Sequence, residues 1–365
     1  MQIILQPLVL RSSTNSIIVL KMTSLVVMSS LLISCGKKDN KLDMSIYPLE
    51  LRDNWPEIEI PGNNPLYVAS VEFGKQLFFD RRLSVDSTVS CTNCHKHEFG
   101  FADAIPLSVG VKGRLGFRNS GSLTNVAYLP YFNRDGGVRT LDRFSLVPLE
   151  DHDEMDLNLL VMRDRLSQDK SYIDQAKTIY NRRPDAFAVS RALASYLRTF
   201  ISDNSPYDRY VYDGDTTAMN ASQKRGYHLF FGDKAKCSTC HNGINLTNYK
   251  FENNGLYADY KGKDRGRQRI TDNPNDEGKF RVASLRNIAL TAPYMHDGSL
   301  TDLEEVLDHY QNHGKSHPTI NPDINQINIT DSEKADLISF LGALTDSTYI
   351  QDSKFQITQK MELSK

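Results

Sequence analysis

Excess charge of either sign is missing from this 365-residue chain, in which 43 basic side chains meet 45 acidic ones for a formal charge of −2. A near-neutral chain has no basic field for a phosphate backbone, which excludes nucleic-acid binding. Cysteine is scarce too: five residues cannot staple a scaffold of this size through disulfides. Alternating strand patterns are rare, and past one short N-terminal run no segment is apolar enough to cross a bilayer. What is present is ordinary globular composition, 39% hydrophobic and 9% aromatic, which excludes disorder. The length suggests about two domains rather than one large core.

Residues 23 to 34 form the apolar run and read as a cleaved export signal. The run ends in Leu32-Ile33-Ser34-Cys35-Gly36, which resembles a bacterial lipobox. That resemblance implies an acylated Cys35 at the mature N-terminus; a plain secretory signal with an incidental cysteine is the alternative. The stretch before the signal is long, so Met22 is a candidate start. The expected organisation is a lipoprotein signal over 1–34 and a polar tether over 35–61.

The remainder is written twice. Gly74-Lys75-Gln76-Leu77-Phe78-Phe79 precedes Cys91-Thr92-Asn93-Cys94-His95, and Gly226-Tyr227-His228-Leu229-Phe230-Phe231 precedes Cys237-Ser238-Thr239-Cys240-His241. Ser122-Leu123-Thr124-Asn125 recurs as Ser284-Leu285-Arg286-Asn287, and Asp135-Gly136 as Asp297-Gly298, at a constant offset of 162. Two copies of one domain are expected, over 62–204 and 205–349, with a tail over 350–365. The elements read as helices, so the fold class is mainly α. Residues 186–200 carry apolar positions at spacings of three and four. Thr301-Asp302-Leu303-Glu304 and Thr330-Asp331-Ser332-Glu333 are capping-box signatures. The Gly-, Asn- and Asp-rich segment from Asn242 to Lys279 reads as a long surface loop.

Cys-x-x-Cys-His is the attachment signature of c-type haem. Two thioethers fix one porphyrin edge while the adjacent imidazole reaches the iron. A redox dithiol or half a zinc site are the alternatives for a single string. Two strings in a repeat, in an exported chain, favour two covalent haems on Cys91, Cys94 and His95 and on Cys237, Cys240 and His241.

Gly74 to Ser84, the first haem string, and Ser284 to Gly298 together resemble the bacterial di-haem cytochrome c peroxidases, whose superfamily includes the MauG-type enzymes. The resemblance runs from about Leu66 to Leu344. It implies two cytochrome-c-like α domains, the first haem reacting with hydrogen peroxide and the second receiving electrons. It also implies a calcium ion between the domains, held by Asn119, Thr291 and Pro293. The peroxide-activating glutamate maps onto Glu154, where a carboxylate would do general acid–base work. A solvated acidic turn is the plain alternative.

Several positions depart from the family pattern. The histidine that caps the peroxide-reacting iron in ordinary members falls on Val111, which cannot ligate, so this iron should have an open face. His97 lies too close to His95 to reach that face and is expected to be solvated. The family's companion glutamine falls on Phe144 and its inter-haem tryptophan on Arg134. The second haem's distal position falls on Tyr310, on one helical face with Leu303, Val306 and Leu307; His309 and His313 are rival ligands. A phenolate there would favour ferric and higher states.

The expected function is hydrogen peroxide reduction with electrons from a small donor protein such as a cytochrome c or cupredoxin. A MauG-type oxidase acting on a protein or organic substrate, and a non-catalytic di-haem electron carrier, are the alternatives. The expected location is periplasmic, touching the membrane through the lipid anchor only, and the sequence leaves room for a homodimer.

Overall fold

The computed structural model describes residues 41–356. The export signal and Cys35 lie outside the described residues. Among those described, helices and turns dominate. The strands are a two-residue antiparallel pair, β1 (Phe251–Glu252) and β2 (Phe280–Arg281), with Phe251 opposite Arg281. No helix among the described residues is long and apolar enough to cross a membrane.

Two helix crossings organise the body, and the repeated glycines explain both. Helix α1 (Val68–Phe79) crosses α2 (Ala186–Leu197), and helix α3 (Ala221–Phe231) crosses α5 (Asp331–Gly342). A Cβ on Gly74 would lie 1.9 Å from the Ala192 carbonyl oxygen, and one on Gly226 would lie 2.0 Å from that of Asp336. Only glycine lets the backbones approach so closely. One turn on, Phe78 packs edge-on to Tyr196 at 5.5 Å and Phe230 meets Phe340 at 5.1 Å. Each crossing therefore seeds its own apolar cluster. One gathers Phe73, Leu77, Phe78, Leu149, Met162 and Phe200, the other Tyr207, Phe230, Leu307, Leu337 and Phe340.

The repeated asparagines do the same job twice. Asn125 and Asn287 both adopt left-handed backbone, at φ 54° and 57°, a conformation that asparagine tolerates better than most residues. The Asn125 N–H donates to the Phe200 carbonyl at 2.8 Å, and that of Asn287 donates to Leu344 at 3.1 Å. Their side-chain oxygens accept from the backbone N–H of Ser202 and Asp346, each at 2.8 Å.

Several expectations are met. Helix α2 starts after Asp185, whose carboxylate accepts from the Ala188 N–H at 3.1 Å. The Thr330/Glu333 capping box forms, with the Thr330 N–H donating to Glu333 at 2.8 Å. Helix α4 (Leu303–Gln311) begins one residue later than the motif suggested. Asp302 is its cap, accepting from the Glu305 N–H at 2.8 Å, while Glu304 instead pairs with Lys334. An aspartate oxygen caps helix N–H groups as well as a threonine hydroxyl does, and the register follows the packing.

Three segments are more tightly held than their composition suggests. In the expected tether, the Tyr47 N–H donates to the Leu66 carbonyl, and Trp55 is buried under the Arg286 guanidinium, 4.8 Å from its ring. In the expected tail, Phe355 is 1% exposed and the Lys75 ammonium donates to the Lys354 carbonyl at 2.6 Å. Burial of such an aromatic stabilises by roughly 1.5–3 kcal/mol, enough to order a short polar segment around it. The segment 242–279 is not confined to the surface either. Its Asn253 is fully buried and pins the chain by accepting from Gly255 N–H and donating to Thr319.

Candidate functional site

Each Cys-x-x-Cys-His string sits on one tight turn. Cys91–Cys94 forms a helical turn and Cys237–Thr239 a 3₁₀ turn. After each, the chain doubles back through a left-handed residue, Phe101 at φ 58° or Leu246 at φ 50°. The returning carbonyl meets the histidine. Nδ1–H of His95 donates to Phe101 at 2.8 Å, and that of His241 donates to Leu246 at 3.0 Å. Fixing Nδ1 this way turns Nε2 outward as a lone-pair donor, the arrangement a metal ligand needs. Burial pushes the thiols up, Cys91 to about 12, Cys94 to about 11 and Cys237 to about 12.

The second string lines a cavity of about 300 Å³. Helix α4 contributes Leu303, Val306, Leu307 and Tyr310, the whole stripe expected from its periodicity. Burial raises the Tyr310 phenol to about 12, opposed by a hydrogen bond with Asn254. The rival histidines are absent from the lining. His309 Nε2–H donates to the Asn254 carbonyl at 2.9 Å and His313 Nδ1–H to that of Ile324 at 3.1 Å. Three guanidinium groups also line the cavity; Arg286 is paired with Asp208, which leaves Arg134 and Arg281. Burial lowers both to about 10, helped at Arg134 by repulsion from Arg281 and Arg118. Arg281 Nε is buried without a partner. Apolar walls, paired thiols, an imidazole and an orphaned cation fit a porphyrin bearing carboxylates.

At the first string, the Glu154 carboxyl lies close enough to the cysteines that its charge raises both thiols. Burial, then the charges of Asp151 and Asp153, push Glu154 itself up to about 7. Such a group both donates and accepts a proton near neutral pH. Val111 is fully buried in the first apolar cluster. The preceding Gly110 has no room for a side chain, since a Cβ would lie 2.1 Å from the Asp153 carbonyl oxygen.

His97 is not solvated. Its Nε2 is 2.8 Å from the Tyr349 carbonyl oxygen, and its ring packs against Phe101 and Phe355 at 5.0 and 5.3 Å. Phe144 stacks on Phe132 at 5.2 Å and offers no polar atom to the site. Asn119, Thr291 and Pro293 do converge on the cavity. However, Arg134 Nη2–H donates to Asn119 Oδ1 at 2.8 Å and to its carbonyl oxygen at 3.1 Å. A metal cation against those oxygens would sit beside a second cation, so this donor set does not fit calcium.

Four residues of the site carry no advance signal of function. Gly110 lies in an unremarked loop and Arg281 ends the two-residue strand β2. Asn254 links Tyr310, His309 and Met295, donating to the Met295 sulfur at 3.0 Å. Met295 lines the cavity and brings a soft thioether beside the hard phenol of Tyr310.

Comparison with known proteins agrees with this geometry. The family model described as di-haem cytochrome c peroxidase matches residues 68–217. The chain is 36% identical to cytochrome-c peroxidase IdrP1 of Pseudomonas sp. (strain SCT), over 80% of this chain and 85% of that protein. It is 34% identical to methylamine utilization protein MauG of Methylorubrum extorquens, over 81% and 84%. Among solved structures, a MauG-like protein associated with microbial copper homeostasis superposes with TM-score 0.79 at 32% identity, over 85% of this chain and 99% of that one. The diheme peroxidase BthA from Burkholderia thailandensis shares the fold, with TM-score 0.68 at 22% identity over 78% of this chain and 87% of that one. The chain belongs to the di-haem cytochrome c peroxidase family, a family of oxidoreductases.

Proposed function

We propose that the protein reduces hydrogen peroxide to water in the periplasm, with electrons from a small donor protein such as a cytochrome c or cupredoxin. Two c-type haems, on Cys91, Cys94 and His95 in an N-terminal domain and on Cys237, Cys240 and His241 in a C-terminal one, supply the redox chemistry when bound. Glu154 carries this reading. Its carboxyl, poised near 7, takes a proton from one peroxide oxygen and returns it to the other as the bond between them breaks. Two electrons and two further protons complete the conversion of one peroxide to two waters. Val111 carries no ligating atom, so a haem held by His95 would remain accessible to peroxide. Tyr310 would join His241 in holding the second haem, supported by its place in the same cavity and by the carbonyl bonds that engage His309 and His313. An acylated Cys35 would tether the enzyme to the membrane surface, and a homodimer is compatible with the reading.

Val111 and Tyr310 also favour a second reading, oxidation of a protein or organic substrate as in the MauG-type enzymes. Steady-state peroxide consumption separates the two. Turnover sustained by reduced cytochrome c or cupredoxin alone supports the peroxidase; consumption only with an organic or protein substrate supports the oxidase. The absence of turnover with either leaves the electron carrier. His95→Gly should keep the thioethers and lose turnover.

A further inference from the structure

We propose that the guanidinium of Arg134 is the resident cation at the junction of the two Cys-x-x-Cys-His halves, and that no calcium ion binds there. Three observations converge on this residue. Its Nε–H and Nη2–H groups donate to the Asn119 carbonyl at 3.2 and 3.1 Å, and Nη2–H also donates to Asn119 Oδ1 at 2.8 Å. Both oxygens that Asn119 has to offer are thus engaged by one fixed cation. The same two residues clasp the second half of the chain. The Asn119 N–H donates to the His296 carbonyl at 2.9 Å, and the Arg134 carbonyl accepts from the Arg281 N–H at 2.7 Å. Arg281 and Arg118 both repel Arg134, against a smaller attraction from Asp297 and Asp264, and Arg118 is itself paired with Asp135 and Asp264.

A divalent ion needs several oxygen ligands at once and is repelled by each nearby cation. Thr291 and Pro293 line the cavity but supply only neutral oxygens, and among the described residues no cluster of three histidine, cysteine, aspartate or glutamate side chains forms an alternative metal site. A side-chain cation differs from a bound ion in one practical respect: chelators cannot remove it. The junction should hold its geometry, and the second haem its electrostatic environment, whatever the calcium level outside the cell.

The inference rests on family membership and is independent of which substrate the enzyme oxidises or reduces, because its test reads metal content and spectra rather than turnover. Plasma emission spectrometry of the haem-loaded protein should find well under one calcium per chain, and dialysis against EGTA should leave the ferric absorption and paramagnetic resonance spectra unchanged. In Arg134→Gln the Asn119 oxygens lose the cation that engages them, and three neighbouring guanidinium charges become two. Calorimetric titration with Ca²⁺ should then show affinity raised by roughly tenfold or more over the wild type. One calcium per wild-type chain, with spectra that shift on its removal, would overturn the proposal. So would an Arg134→Gln protein that binds calcium no better than the wild type. Should that variant fail to fold, the wild-type metal content and EGTA response decide the matter.

Discussion

The backbone N–H of Val111 donates to the carbonyl of Glu154 at 2.8 Å. Val111 thus braces the residue proposed to handle the proton, and its loop is locked to that carboxylate's own backbone.

Glu154→Gln keeps the shape and removes the exchangeable proton. Peroxide turnover should fall roughly 10²-fold or more while both haem spectra persist. In the wild type, kcat/KM for peroxide should rise with pH through about 7, because the raised carboxyl must lose its proton before it can accept one. The variant should lack that limb. An unchanged rate and profile would return Glu154 to a solvated acidic turn.

Gly110→Val tests the brace. A Cβ there meets the Asp153 carbonyl oxygen at 2.1 Å, whereas one on Gly116 meets nothing closer than 3.6 Å. Gly110→Val should lower stability by roughly 1–3 kcal/mol and reduce turnover with it. Gly116→Ala should do little to either. Thermal melts and peroxide assays on the pair provide the check, and equal behaviour of the two variants would contradict the brace.

Gly74→Ala and Gly226→Ala probe the two helix crossings. Each new methyl would drive into a backbone carbonyl, so each should cost at least roughly 1–3 kcal/mol in denaturant unfolding. If the crossings are equivalent, the two losses should be similar. A neutral effect at either site would show that its helices can separate without penalty.

These contrasts show what the sequence can reveal. The haem strings are local, five consecutive residues each, and the glycines and asparagines recur in register because each repeats one backbone contact. Tyr310 is the position the family resemblance offers, and helical periodicity puts it on the stripe with Leu303 and Leu307 that lines the cavity. Other features depend on partners far along the chain. Trp55 reads as part of a polar tether until Arg286 covers it, and Phe355 as part of a tail until it meets Phe101 and Phe200. His97 is polar by composition and is drawn half under the surface by the Tyr349 carbonyl and the Phe101 and Phe355 rings. The Arg134–Asn119 pair has no sequence pattern at all, because a guanidinium can satisfy an asparagine from almost any separation.

Tyr310→His exchanges a hard phenol for an imidazole in the second cavity. Cyanide binding at the first haem should be unaffected, because that site lies in the other half of the chain. The lifetime of the peroxide-oxidised protein should shorten, since a neutral ligand stabilises high oxidation states less than a phenolate does. Rapid-scan spectroscopy after a peroxide pulse reads both quantities, and an unchanged lifetime would remove Tyr310 from the iron.

The central claim is that the first haem is open in the fully oxidised protein because Val111 takes the place of a cap. Stopped-flow mixing of the ferric protein with one equivalent of peroxide, with no reductant present, tests it most directly. The expected result is an immediate change in the haem spectrum and retention of two oxidising equivalents that a donor can later discharge. A ferric protein that stays inert until it receives one electron would contradict the account, because another residue would then be closing the iron.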